Sequence, residues 1–490
     1  MQFLLNIYLP SLKLETLRPS WCEPGAFAVM DKEQAVLVSP LAYAAGVRAG
    51  MRVGGVATIA PDTVMLERDS IKERRALDAI ATTLMQYTPE VTFLDEDSIL
   101  LDVSASLRLF GGPTKLCQLV RSSVSRLGFS VIIGAAPTAN GAWLMAHARR
   151  IKKRPLLRRC IQMEVLHRRL DALPYSVLPA ARIYSEWLDG IGATNLEAIR
   201  RLPRTGLLRR TSKVLVSAID RAYGHEPEMF QWIRPPDVFS AHVETFDRIE
   251  HAEALMVGAT GLILQMIGWL CAQQLAVTTF TLSLEHERGR AAVAPTQLKI
   301  SLAEPAWKEP HLLRLLKERL AKTELSAPVI GLLLNAKQLQ PMQPQTDQLF
   351  PEPGGTPADF NRLMDLLSAR LGEENVLMLA MSSDHRPEAC NIWVPAVSKQ
   401  KRSSELGETL ERPAWILPKP IALIVRDNRP LYGVGPLRII QGPERVEAGW
   451  WDNQFVARDY FVAQGQSGEC YWIYLEREHN GRWYLHGLYA

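Results

Sequence analysis

Across the first 150 residues, short apolar runs take turns with longer helix-like stretches, and that alternation restricts the chain to an α/β fold before any single residue is considered. Gln2 to Leu9 reads as a buried strand stopped by Pro10, which cannot continue a strand ladder. Ala26 to Met30 and Ala35 to Val38 read as two strands around the charged turn Asp31-Lys32-Glu33, and Pro40 to Gly46 as a short helix closed by its glycine. Ser70 to Gln86, Thr114 to Leu127 and Ala139 to Arg150 have helical spacing, with strands Val91 to Phe93, Ile99 to Val103 and Ser130 to Ala135 between them. One short stretch holds the chemistry: the acids Asp95, Glu96 and Asp97 stand at the turn before the apolar run Ile99 to Val103. Clustered carboxylates beside a strand suit a hard divalent cation, and equally an acidic turn at the edge of a buried strand.

The remaining sequence divides into further domains, as a chain of 490 residues must, since single cores stop growing at about 250–300 residues. Pro174 to Glu226 is a series of short helical runs broken by Gly190-Ile191-Gly192 and Pro203-Arg204-Thr205-Gly206. Glycine turns at helix starts would point backbone N–H groups at phosphates; the same glycines would serve simply to close helices. After Pro235-Pro236 the order strand, helix, strand, strand, helix, strand predicts a four-stranded sheet backed by two helices, ending at Val329 to Leu334. Residues 338–357 are rich in Gln and Pro and read as a linker that carries one apolar pair, Leu349-Phe350. Asp359 to Arg370 and Val376 to Leu379 follow as a helix and a strand, and Ser398 to Arg412 reads as a second linker. From Trp415 the chain becomes β-rich and aromatic.

Composition removes several classes. A net charge of +4 leaves any nucleic-acid surface to local patches, of which two are evident. One runs from Arg149 to Arg169 and includes Arg150, Lys152 and Lys153; the other holds Arg200, Arg201, Arg204, Arg209, Arg210 and Lys213. Such runs bind DNA phosphates without reading sequence, or are solvated helix faces. Six cysteines stand far apart without C-x-x-C spacing, which argues against a zinc site or a disulfide framework and fits a reducing cytoplasm. The N-terminus lacks the basic region of a signal peptide. The most apolar stretch, Gly261 to Val277, carries three glutamines and reads as a core helix rather than a membrane span.

Ser39-Pro-Leu-Ala-Tyr-Ala-Ala-Gly-Val-Arg-Ala-Gly-Met51, the acidic turn with Leu101-Asp-Val-Ser104, Gly134-Ala-Ala-Pro137 and the glycine-broken helices stand in the order seen in Y-family (translesion) DNA polymerases, which residues 1–335 resemble. Other segments resemble one branch, the ImuB-type polymerase-like subunits of bacterial mutagenesis cassettes. These are Ser106-Leu-Arg-Leu-Phe-Gly-Gly112, Ala142-Trp-Leu-Met-Ala146, Gly442-Pro-Glu-Arg445, Gly449-Trp-Trp-Asp452, Arg458-Asp-Tyr-Phe461 and Trp483-Tyr-Leu-His-Gly487. The resemblance implies a multidomain α/β architecture. Its parts are a palm split between 1–20 and 80–165, fingers at 21–79, a helical thumb at 166–235 and a βαββαβ little finger at 236–337. The linker at 338–357, a helix–strand segment and linker at 358–412 and a β-rich interaction domain at 413–490 complete it.

The same resemblance implies loss of the chemistry. The family's first-strand Asp falls on Asn6, and its Asp-Glu pair falls on Asp97 and Ser98. The Tyr and Arg that contact the triphosphate fall on Pro40 and Tyr43, and the palm Lys falls on Ala139. Five neutral replacements across the metal and nucleotide halves imply a non-catalytic scaffold with no cofactor and no catalytic metal. A Gln-led peptide ending in Leu-Phe is the family's means of docking in the replicative sliding clamp, which implies Gln345, Leu349 and Phe350 as anchors; Gln345 stands one residue too far from the pair. DNA contact is expected from Arg149, Arg150, Lys152, Lys153, Gly190, Gly192, Arg204, Gly206, Arg209 and Arg210. The remaining implied partners are an error-prone C-family DNA polymerase and a RecA-like accessory protein of ImuA type. Two other functions stay open: a weak Y-family polymerase using Asp95, Glu96 or Asp97, and a protein-interaction adaptor without DNA contact.

Overall fold

The computed structural model describes residues 2–148, 158–287, 294–342, 357–396, 412–433, 435–478 and 481–489. It divides into two compact units, Met1–Arg362 and Leu363–Ala490.

The first unit is built around an antiparallel sheet in the order β5-β6-β1-β7, formed by β1 (Leu4–Tyr8), β5 (Val91–Asp95), β6 (Ser98–Asp102) and β7 (Ile132–Ala136). In β1, Leu5 and Ile7 point to one face and Leu4, Asn6 and Tyr8 to the other, because strand side chains alternate. The first face packs with Ile99, Leu101 and Ala135 against α1 (Ser70–Leu84) and α2 (Pro113–Arg126), through Leu77, Ile80, Leu84, Leu116, Val120 and Val124. The second face is covered by α3 (Ala139–His147). That contact requires Gly134: a Cβ there would lie 2.1 Å from the Ala142 carbonyl oxygen. Thr138 caps α3 by accepting from the Gly141 N–H.

Between β1 and β5 lies a small sheet in the order β3-β2-β4, from β2 (Phe27–Asp31), β3 (Gln34–Val38) and β4 (Val64–Glu67), with its own core of Ala28, Met30, Ala35, Ala42, Val47, Val56 and Ala60. After α3 come the expected short helices, joined by Met163–Asp171 and Arg204–Arg210. Gly206 therefore sits in the first turn of a helix, not in a turn between helices. Gly190 and Gly192 close a helix: the N–H groups of Ile191, Gly192 and Ala193 bond to the carbonyls of Trp187, Asp189 and Leu188.

The predicted β-α-β-β-α-β order is present as β8 (Ser240–Ile249), α4 (Met256–Gln273), β9 (Leu275–His286), β10 (Thr296–Ala306), α5 (Glu309–Ala321) and β11 (Val329–Pro341), with sheet order β10-β9-β11-β8. Strand β11 runs seven residues past the expected end at Leu334, so Gln338–Pro341 belong to the sheet and not to the linker. The reason is that β9 begins early, at Leu275, and offers backbone partners that are indifferent to Gln side chains. Helix α4 packs on α1 with backbone contact, since a Cβ on Gly268 would fall 1.9 Å from the Thr82 carbonyl oxygen. The Trp269 indole N–H donates to the Pro236 carbonyl at 2.6 Å. By length and composition alone the helical stretch Ala252–Gln273 could cross a membrane; here Leu262, Ile263, Met266, Trp269 and Leu270 on it are buried in the fold.

In the second unit β12 (Leu377–Met381) and β13 (Asn391–Pro395) form a hairpin. The rest is β14 (Trp415–Ala422), β15 (Ile424–Arg426), β16 (Arg429–Tyr432), β17 (Gly435–Pro436), β18 (Arg438–Ala448), β19 (Val456–Gln464), β20 (Cys470–Glu476) and β21 (Trp483–Leu488). They form a five-stranded sheet, β14-β21-β20-β19-β18, and a three-stranded one, β15-β16-β17. Tyr460, Trp472 and Tyr474 are core, whereas Trp450 and Trp451 are exposed.

Candidate functional site

Asn6 lies at the middle of the central strand, opposite Leu100 on β6 and Gly134 on β7. It is fully buried, and neither its amide nitrogen nor its amide oxygen has a hydrogen-bond partner. Leaving such a group unmatched costs on the order of 1–3 kcal/mol. Ser98 pairs with Tyr8 and is also fully buried; its hydroxyl donates to the Asp97 carboxylate at 3.4 Å.

The three acids of the turn part company. Glu96 turns to Arg68, whose guanidinium also holds Asp31 and Glu73. Asp95 accepts the indole N–H of Trp143. Asp97 is half-buried, and burial together with the charge of Asp95 pushes its carboxyl above the ordinary range. Their neighbour is His147 at the end of α3, and Asp95, Asp97 and His147 each place one donor atom within 4.8 Å of the others'. The His147 ring stacks on Trp143 at 3.8 Å between centroids and lies 3.9 Å from the Tyr8 ring. Its Nδ1 is 2.9 Å from the Trp143 carbonyl oxygen, and burial holds its pKa below the usual imidazole value.

At the other end of α3, the N–H groups of Ala139 and Asn140 donate to the two carboxylate oxygens of Glu228, at 2.6 and 2.9 Å. A helix N-terminus attracts anions, and here the chain fills that position itself. Burial raises the Glu228 carboxyl despite these two bonds. Phe230, two residues on, packs with Leu4, Leu94, Leu100 and Ala139. The segment then runs beside β5, where Thr92 donates its hydroxyl to the Gln231 carbonyl and Ile233 donates to the Val91 carbonyl.

Pro40 and Tyr43 sit on a short helix capped by Ser39, and both are exposed. The Arg48 guanidinium lies 3.7 Å from the Tyr43 ring centroid and bonds the Tyr43 and Val47 carbonyls. Among the residues expected to touch DNA, Arg204 pairs with Asp220, while Arg209 and Arg210 are exposed at the end of their helix. Arg149, Arg150, Lys152 and Lys153, and the expected clamp anchors Gln345, Leu349 and Phe350, lie outside the described residues.

Sequence reasoning did not single out His147, Trp143 or Glu228. Trp143 and His147 stand four residues apart on one helix, a spacing that places them on one face. Glu228 gives no local signal, being 89 residues from its partner Ala139. The pair of magnesium ions that the family resemblance implies would call for carboxylates at the positions of Asn6 and Ser98. Both are neutral and buried, so these residues do not fit that pair.

Residues 15–147 match the model of the impB/mucB/samB family. Protein ImuB of Caulobacter vibrioides is 23% identical over 471 residues, covering 91% of this chain and all of the relative. DNA polymerase IV of Yersinia pseudotuberculosis is 27% identical over 199 residues, 40% of this chain and 55% of that protein. Among solved structures, an insertion ternary complex of Dbh DNA polymerase aligns with a TM-score of 0.40 and 13% identity, over 69% of this chain and 99% of that one. DinB from Sulfolobus solfataricus aligns with a TM-score of 0.40 and 14% identity, over 69% and 98%.

Proposed function

We infer that this chain, an ImuB homologue with Y-family polymerase relatives, is a polymerase-like protein of a bacterial mutagenesis cassette that does not itself join nucleotides. One observation carries the reading: Asn6 and Ser98, neutral and fully buried, occupy two of the three metal-ligand positions that the family resemblance assigns. Phosphoryl transfer is driven by positioning and charge neutralisation, and two such losses remove the ligand charge for the ions. The internal carboxylate of Glu228 on the α3 N-terminus supports the same reading, because it meets the helix where the resemblance places the triphosphate's lysine.

A scaffold of this kind acts by gathering others. Leu349 and Phe350, with Gln345, dock in the sliding clamp, and the exposed Arg209 and Arg210 with the basic run at Arg149–Lys153 contact primer–template DNA. The C-terminal unit engages an error-prone C-family polymerase and a RecA-like accessory protein. The test is a pull-down on immobilised clamp with full-length protein: Leu349→Ala combined with Phe350→Ala abolishes capture, and unchanged capture places the clamp contact elsewhere. DNA contact is read separately in a gel shift on primed DNA, which weakens as salt rises if phosphates are bound. A weak polymerase is the second reading; Asp95 and Asp97, still close together, are what favours it.

A further inference from the structure

The geometry points to a single divalent transition-metal site formed by Asp95, Asp97 and His147, which fastens the β5–β6 turn to the end of α3. Ligand atoms that share one ion at about 2.1 Å stand about 3–4 Å apart, so a cluster already within 4.8 Å closes on an ion with small side-chain movements.

Three features distinguish this cluster from an ordinary acidic turn. The first is the imidazole. Only Nδ1–H can donate to the Trp143 carbonyl, so Nε2 carries the lone pair, the tautomer a metal-bound histidine needs. Stacking on Trp143 and contact with Tyr8 hold the ring in place. The second is charge. Asp95 and Asp97 repel one another, eased at Asp97 by the charge of Lys13, and no Lys or Arg among the described residues forms an ion pair with either; Arg68, which Glu96 turns to, is shared with Asp31 and Glu73. The third is independent of the cluster. The buried amide of Asn6 stands on the same sheet face, one alternate position from Tyr8, with its oxygen and nitrogen both unmatched. An amide left without a partner on this buried face is the kind of group that ordered water or an ion satisfies.

One imidazole and two carboxylates suit Mn²⁺, Fe²⁺, Co²⁺ or Zn²⁺ better than Mg²⁺, which keeps to oxygen ligands. The site is not the polymerase ion pair under another name. Asp95 and His147 have no counterpart among the three positions the family resemblance assigns to metal, and Asn6 and Ser98 bring no charge for a second ion. Its role is to hold the turn on α3, and it stands whether or not the chain polymerises.

The test uses untagged, full-length, metal-stripped protein. Calorimetric titration with Mn²⁺ and with Co²⁺ gives one saturable site per chain. His147→Gln and Asp97→Asn each weaken it at least tenfold, while Glu96→Gln, whose side chain turns away to Arg68, leaves it unchanged. Circular dichroism confirms that each variant is folded. Pulsed electron paramagnetic resonance on the wild-type protein with one equivalent of Mn²⁺ shows coupling to a directly bound ¹⁴N. Absence of saturable binding, equal loss in Glu96→Gln, unchanged binding in folded His147→Gln, or a Mn²⁺ spectrum without nitrogen coupling each overturns the assignment.

Discussion

Asn6→Asp places an acid where the family resemblance expects one, and the structure gives a definite cost for doing so. The position is fully buried at the centre of the sheet, and neither atom of its amide has a hydrogen-bond partner. A carboxyl there has its pKa pushed up by roughly three to five units from about 3.9, so it stays protonated in the folded protein at neutral pH. The unfolded chain releases that proton. Each pH unit above 3.9 therefore stabilises the unfolded state by about 1.4 kcal/mol relative to the folded one. The loss is about 1.5 kcal/mol at pH 5 and about 4 kcal/mol at pH 7, a large fraction of the roughly 5–15 kcal/mol that holds a domain together. Because the folded pKa is raised, the penalty grows with rising pH, the opposite of a salt-bridged carboxylate. Urea unfolding of variant and wild type, both in EDTA, at pH 5 and pH 7 measures the difference. A penalty under about 0.5 kcal/mol at pH 7, or one equal at the two pH values, refutes the claim that this position is sealed.

Gly268→Ala drives a Cβ into the Thr82 carbonyl, backbone against backbone, and is expected to destabilise the first unit by at least about 1–3 kcal/mol in the same urea assay. Gly206→Ala is its counterpart: nothing lies within 4 Å of the added atom inside a helix, so a gain of about 0.5–1 kcal/mol is expected. In the second unit His486 is buried beside Tyr460, Trp472 and Tyr474, with Arg458 and Glu388 near, and its pKa is held down to about 4. The unfolded histidine takes up a proton near 6.5, so stability is full above that pH and falls as pH drops toward 4. Unfolding of the second unit followed from pH 7 to pH 4.5 is expected to show this slope, and His486→Gln to flatten it.

Much of the fold was legible because periodicity reports burial. The buried apolar runs of Leu4–Tyr8 and Ser98–Asp102 identify the two strands that meet at Asn6, and the β-α-β-β-α-β segment follows from its order alone. Where side chains do not decide, the reading failed. Gln338–Pro341 join a sheet through backbone bonds to Leu275–Thr279, and Gly206 lies in a helix although glycine suggested a turn. The site divides in the same way. Asp97 stands out by its neighbours in sequence. Trp143 and His147 were legible in principle from helical spacing, but only the fold brings them to Asp95. Glu228 reaches α3 from a connecting segment, and the diversion of Glu96 depends on Arg68, the residue just after β4 of the small sheet. Neither leaves a trace in local sequence.

The most direct test of a polymerase-like fold without polymerase chemistry is primer extension. Purified full-length protein, with sliding clamp, primed DNA, all four deoxynucleoside triphosphates and either Mg²⁺ or Mn²⁺, is expected to add no nucleotide. Template-directed extension that disappears on Asp97→Ala would contradict it.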